Sequence, residues 1–167
     1  PAWHNVRVRG TLVSDHALAW YSGMLPGAIA ETYRTEALEI DLRGVCAWAA
    51  LRFVHGAARV IDRTARRVRV ERRDVAEGAS DEARFVDVSY DVLVLNIGST
   101  SSLHIDVEPR ALPRVITTRP ISELLAKTQR FESNFFTDTN DDGPRVVVVG
   151  GGAAGVELAL AYLTRFE

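Results

Sequence analysis

The sequence predicts an α/β fold, and three observations point to it. Arg145–Val149 is an apolar run closed by glycines and followed by a second apolar stretch of helical composition. Tyr90–Ile97 is another near-continuous apolar run, as in a strand covered on both faces. The third observation is the set Phe53–Asp62, Arg66–Arg72 and Phe85–Val88. The first reads as a strand ended by a turn, and in the other two apolar and polar residues alternate with the period of half-buried strands, giving a β-meander.

The remaining elements follow in chain order. Gly10-Thr-Leu-Val-Ser reads as a strand continuing the alternation of Val6-Arg-Val-Arg. Ala19–Ala30 holds Gly23, Pro26 and Gly27 and reads as a loop opening into a short helix. Asp41 is an N-cap residue for a helix through Ala50. Arg63-Thr-Ala turns the chain between the first two meander strands, and Asp74–Glu82 is a polar loop. Pro109, Pro113 and Pro120 punctuate a linker. Ile121, Leu124, Leu125 and Phe131 then fall at helical spacing, and Thr137–Gly143 is polar and turn-rich.

Composition bounds the function classes. The 167 residues suffice for one ordinary domain or parts of two, and 47% are hydrophobic. Nineteen of the twenty basic residues are Arg, with Lys127 the exception, but 22 acidic residues balance them. The Arg bias therefore reads as codon usage in a GC-rich genome, and no nucleic-acid partner is expected. Cys46 is the one cysteine, which excludes an internal disulfide and reads as a buried thiol. His4, His16, His55 and His104 are scattered, and no cluster has metal-ligand spacing. No apolar run approaches the roughly 20 residues of a membrane span, and no signal peptide is visible. The compartment stays open: intracellular, or peripheral to a membrane in a longer protein.

Chemistry concentrates at Gly150, Gly152 and Gly155, which fit G-x-G-x-x-G between a strand and a helix. The first glycine permits a tight turn, the second a close approach of backbone to a pyrophosphate, and the third close helix–strand packing. The helix start adds unpaired N–H groups and a positive dipole end. A glycine-rich turn used only for packing is the alternative. The strand whose polar residue would read the ribose, about 20 residues past the glycines, is not in the sequence. With Pro1 in place of Met, the chain is expected to be a piece of a larger protein.

In this order the segments resemble the FAD-dependent pyridine nucleotide-disulfide oxidoreductase superfamily. Tyr21-Ser-Gly-Met-Leu-Pro-Gly, Ile40-Asp-Leu-Arg and Asn96-Ile-Gly-Ser-Thr most resemble its NADH dehydrogenase-like flavoproteins. These are similar to type II NADH dehydrogenases, and some are fused to selenophosphate synthetase. The resemblance covers about Val8 to Tyr162 and implies a two-Rossmann architecture with a meander. Residues 1–108 would be a partial FAD-binding domain, and 109–167 a linker and the start of an inserted NAD(P)H domain.

The resemblance also implies site residues. Gly98 and Ser99 match the end of the second FAD signature, although Asn96-Ile97 departs from its usual Ala-Thr. Ala58 matches a strand position whose backbone meets adenine, and Ser14 or Asp15 the strand end that reads the FAD ribose. Tyr21 through Pro26, with Met24 and Pro26 foremost, match the loop near the isoalloxazine. Gly150, Gly152 and Gly155 match the nicotinamide motif, and Glu157 a carboxylate near where nicotinamide and flavin meet. A solvent-facing residue near a favourable dipole end is the other reading of Glu157.

The implied activity is hydride transfer from NAD(P)H to FAD and electron transfer to an acceptor such as a quinone. A regulatory flavoprotein domain linked to selenophosphate synthesis, or a plain dinucleotide-binding module, are the alternatives. The family's first strand and its FAD-pyrophosphate glycines are expected just before Pro1. The isolated chain is therefore expected to hold FAD weakly or not at all; stoichiometric yellow flavin on the purified chain would contradict this. Loss of that neighbouring strand also leaves Tyr90–Ile97 open to pairing with another chain. Self-association is expected in light scattering at high concentration, and a clean monomer would argue against it.

Overall fold

A computed structural model describes residues 8–99, 106–135 and 145–166; His4, His104, Val6-Arg7 and Thr137–Gly143 lie outside them. The fold is mixed α/β, with a four-stranded mixed sheet and helices. In chain order the elements are β1 (Thr11–Ser14), β2 (Leu18–Trp20), α1 (Leu25–Ile29), β3 (Glu39–Asp41), α2 (Leu42–Trp48), β4 (Arg52–Asp62), β5 (Arg67–Arg72), α3 (Asp81–Arg84), β6 (Phe85–Ser89), α4 (Ile121–Phe135) and α5 (Ala153–Phe166). They group into two compact units. One takes the chain up to Ala19 and Ile40–Asn96, the other Trp20–Glu39 and Ile97–Glu167. β2 and β3 pair as a short two-stranded ribbon.

The first unit is built on the sheet β1-β4-β5-β6. β1 runs parallel to β4, from Thr11↔Arg52 to Ser14↔His55, and β4, β5 and β6 form the antiparallel meander. Val54, Val68, Val70 and Val88 form its core, with Val70 wholly buried. Arg67 and Arg69 point to solvent between the buried valines, so the alternation in the sequence is the alternation of the pleat. Asp62 accepts from the Ala65 N–H at 2.8 Å to hold the β4–β5 turn. Asp41 caps α2 by accepting from the Arg43 N–H at 3.0 Å.

One residue breaks that alternation: Glu71 is buried directly after Val70. The register slips between Ala58 and Val60, and the extra residue, Arg59, donates Nε–H to Glu71 Oε2 at 2.7 Å. Arg84, from α3, donates Nε–H to Oε1 at 2.7 Å. The carboxylate is thus held between two guanidiniums, and hydrogen bonds from Arg59 and then Arg84 hold its pKa below the usual 4.5. Arg69 and Arg84 in turn lie 4.8 and 5.7 Å from the centre of the Phe85 ring.

The second unit packs α1, α4 and α5 around Ile29, Leu38, Leu124, Leu158 and Ala161. Thr128 and Tyr162 hydroxyls meet at 2.7 Å between α4 and α5. The helix expected over Ile121–Phe131 extends to Phe135, and Pro109–Arg114 of the linker forms a 3₁₀ turn.

Two expected strands do not form. Tyr90–Ile97 and Arg145–Val149 carry no ladder, and Val92 and Val147 are 82% and 83% exposed. An apolar run becomes a strand only when another backbone supplies donors and acceptors, and no described segment lies in register with either run. Asp81-Glu82, the end of the expected polar loop, instead open a helical turn, Asp81–Arg84, started by Ser80, which accepts from the Ala83 N–H.

The Glu71 network gives a pH test. Because its folded pKa lies below 4.5, the folded state keeps the carboxylate ionised to lower pH than the unfolded chain does. Its stabilisation is complete above that value and is lost as pH falls through the folded pKa. Glu71→Gln is expected to melt below the parent chain at pH 7, with the gap closing as pH drops beneath 4.5. Thermal melts across that range check this, and a gap independent of pH would contradict it.

Candidate functional site: the glycine loop at the start of α5

Arg145–Val149 leads into a loop in which Gly150 has φ 123°, a conformation that strongly favours glycine. Gly155 sits in the first turn of α5. A Cβ built on it would stand 3.0 Å from the Gly150 carbonyl carbon and deep inside contact distance of its oxygen. The two outer glycines of the motif are thus explained by each other: the chain folds back so tightly that backbone meets backbone. Gly151 and Gly152 differ, since a Cβ on either meets no atom of the described chain within 4 Å. Packing does not require glycine at those positions.

α5 begins at Ala153, and the Val156 N–H closes its first turn on the Gly152 carbonyl at 3.1 Å. The N–H groups before Val156 have no carbonyl within the helix to reach. They lie beside the open Gly151-Gly152 backbone, with no carboxylate in the first turn. Such a set of donors at a positive helix end suits a phosphate or diphosphate. Glu157 is exposed, one residue beyond Val156.

The other sequence-predicted residues are distributed as follows. Met24 and Pro26 are half-buried at the start of α1. Gly98 has φ 74° and no atom of the described residues within 4 Å of a built Cβ, and Ser99 follows it, exposed. These belong to the second unit, as the glycine loop does. Asp15 and Ala58 belong to the first. Ser14 pairs with His55, so Asp15 leaves the end of β1 while Ala58 lies three residues further along the neighbouring strand, both exposed. The Asp15 carboxylate is 3.8 Å from His16 Nε2.

Sequence reasoning does not find Arg165. Its side chain is 13% exposed and joins three segments of the second unit. It donates from Nη1 to the Ile29 carbonyl at 2.7 Å and from Nη2 to Glu132 at 2.6 Å, and pairs with Glu31 at 3.0 Å. A basic residue in the last turn of a helix is a common dipole partner, so nothing local marks this one out. Arg165 also borders a cavity of about 450 Å³ lined by Tyr33, Arg34, Thr128 and Gln129, which none of the sequence-predicted site residues enters.

Comparison with family models and with curated protein sequences finds no match to this chain.

The two kinds of glycine should respond differently to a methyl group. Gly→Ala inside a helix normally gains about 1 kcal/mol. At Gly155 the clash with Gly150 should outweigh that gain, leaving a net loss of about 1–3 kcal/mol. Gly152→Ala should cost less than about 1 kcal/mol. Denaturant unfolding of the two variants measures this; equal stability, or the reverse order, would contradict the loop geometry.

Proposed function

We propose that this chain belongs to a flavin-dependent NAD(P)H oxidoreductase and carries the nicotinamide-dinucleotide diphosphate loop. The observation behind the reading is the glycine loop. Gly150 and Gly155 close the turn on each other, and Gly151-Gly152 leave open backbone beside the free donors of α5. That donor set fits a dinucleotide diphosphate. The two-Rossmann arrangement, with the meander β4-β5-β6 in an FAD domain, is part of the same proposal.

The residues assigned to FAD fall in both units. In the second unit Gly98 and Ser99 offer open backbone, and Met24 and Pro26, at the start of α1, are the residues assigned to the ring. In the first unit Asp15 offers a carboxylate for ribose hydroxyls, and Ala58 an exposed strand backbone. The sequence holds one glycine fingerprint, which the nicotinamide role takes up. With both cofactors bound, NAD(P)H supplies a hydride and FAD accepts it and passes electrons to an acceptor such as a quinone. The chain's own task is to hold the dinucleotide diphosphate by backbone N–H groups and to fix the approach of α5 to Met24 and Pro26 at the start of α1. Glu157, two residues past Gly155 and beyond the first turn of α5, is the carboxylate assigned to the nicotinamide end.

Anaerobic addition of NADH and of NADPH to the full-length protein, followed by the loss of flavin colour, tests the reading. Bleaching is expected, and Gly152→Val should weaken dinucleotide affinity about tenfold or more, or roughly 1.4 kcal/mol. Bound flavin that NAD(P)H never bleaches would favour a regulatory flavoprotein domain. Dinucleotide binding with no flavin would favour a plain binding module.

A further inference from the structure

Arg165 stands apart from the cofactor residues, yet it is the most heavily bonded side chain described in the second unit. Its Nη1 donates to the Ile29 carbonyl, one of the last carbonyls of α1, which the helix cannot satisfy itself. Its Nη2 reaches Glu132 of α4 and Glu31 just past α1, and its Nε pairs with Glu132. Glu31 has φ 55°, the left-handed conformation of a residue that ends a helix. One guanidinium thus ties the C-terminal ends of α1 and α4 to the C-terminal turn of α5.

The opposite ends of α1 and α5 are the ones with assigned chemistry. α1 starts at Leu25, between Met24 and Pro26, and α5 starts directly after the glycine loop. Between those ends and the guanidinium, Leu158 and Ala161 of α5 are buried with Leu25, Ala28 and Ile29 of α1. That contact is made by apolar side chains, whose attraction holds the helices together without the directionality of a hydrogen bond. Ala161 lies eight residues from Ala153, about 12 Å along a helix. A swivel of about 5° there moves the start of α5 by about 1 Å, and a misplacement of that size can cost about 10²-fold in rate.

We propose that Arg165 is a positioning residue: it fixes the angle between α5 and α1, and so the reach from the nicotinamide loop to Met24 and Pro26 at the start of α1. This role rests on the oxidoreductase reading above. It concerns geometry between two reacting partners and not the grip on either one. Removing the clamp should therefore leave dinucleotide affinity in place and slow the transfer step.

The test is stopped-flow flavin reduction by NADH in the full-length protein, comparing wild type with Arg165→Met, Arg165→Lys and Glu31→Gln. Arg165→Met keeps an apolar stem and loses every bond. It should reduce flavin about 10- to 100-fold more slowly at saturating NADH, with the NADH dissociation constant within about twofold of wild type. Arg165→Lys, with a single ammonium, should recover part of the rate, and Glu31→Gln, which loses one exposed leg, should show the smallest loss. Flavin content and melting temperature identify a variant that fails to fold; Arg165→Lys and Glu31→Gln then decide the matter. Unchanged reduction rates in the folded variants would overturn the positioning role alone. So would a loss of affinity and melting temperature that accounts for the whole rate change. A wild type whose flavin NADH cannot reduce would overturn the oxidoreductase reading, and the positioning role with it.

Discussion

Backbone contact between Gly155 and the Gly150 carbonyl sets where α5 begins and in which direction it leaves the loop. Much of the second unit depends on that direction. α5 supplies Leu158 and Ala161 to the core, Tyr162 to the hydroxyl pair with Thr128, and Arg165 to the ends of α1 and α4. A side chain at position 155 would push the helix off the loop. The donors at its N-terminus and the packing along its length would then move together. The same constraint therefore serves stability and the candidate site.

The first unit rests on a different kind of interaction. Its valine core is small, and the meander is locked from one side by Glu71 between Arg59 and Arg84. A buried carboxylate is unfavourable alone, and two guanidiniums that satisfy both oxygens offset its desolvation. The bulge at Arg59 is what aims one of them. A charge network thus closes a sheet that apolar area alone closes only on one face.

What is legible in the sequence, and what is not, follows from range. The alternation at Val68 and Val70, the cap at Asp41 and the glycine turn before α5 are written within a few residues, and the structure has all of them. Glu71 reads locally as one more charge in an Arg-rich strand, because its partners lie 12 and 13 residues away and are chosen by register. Arg165 is illegible for the same reason, with Ile29 136 residues distant. Tyr90–Ile97 and Arg145–Val149 mislead in the opposite way. Their composition reports a need for cover, whereas strand pairing depends on a neighbouring backbone that no local window contains. Of the candidate site, the glycine turn is legible, with its positive φ at Gly150 and its close approach at Gly155. The placement of Asp15 and Ala58 in one unit and the remaining candidates in the other is not.

If the backbone from Gly151 to Gly155 receives a dinucleotide diphosphate, its N–H groups must feel the ligand directly. Amide hydrogen exchange of the full-length protein, with and without saturating NADH, addresses those N–H groups individually. Slower exchange is predicted from Gly151 through Gly155, the donors that have no carbonyl of their own in α5, and little change in the Glu71 meander. Unchanged exchange through Gly151–Gly155 while NADH is bound would contradict the account, because the dinucleotide would then be held somewhere else.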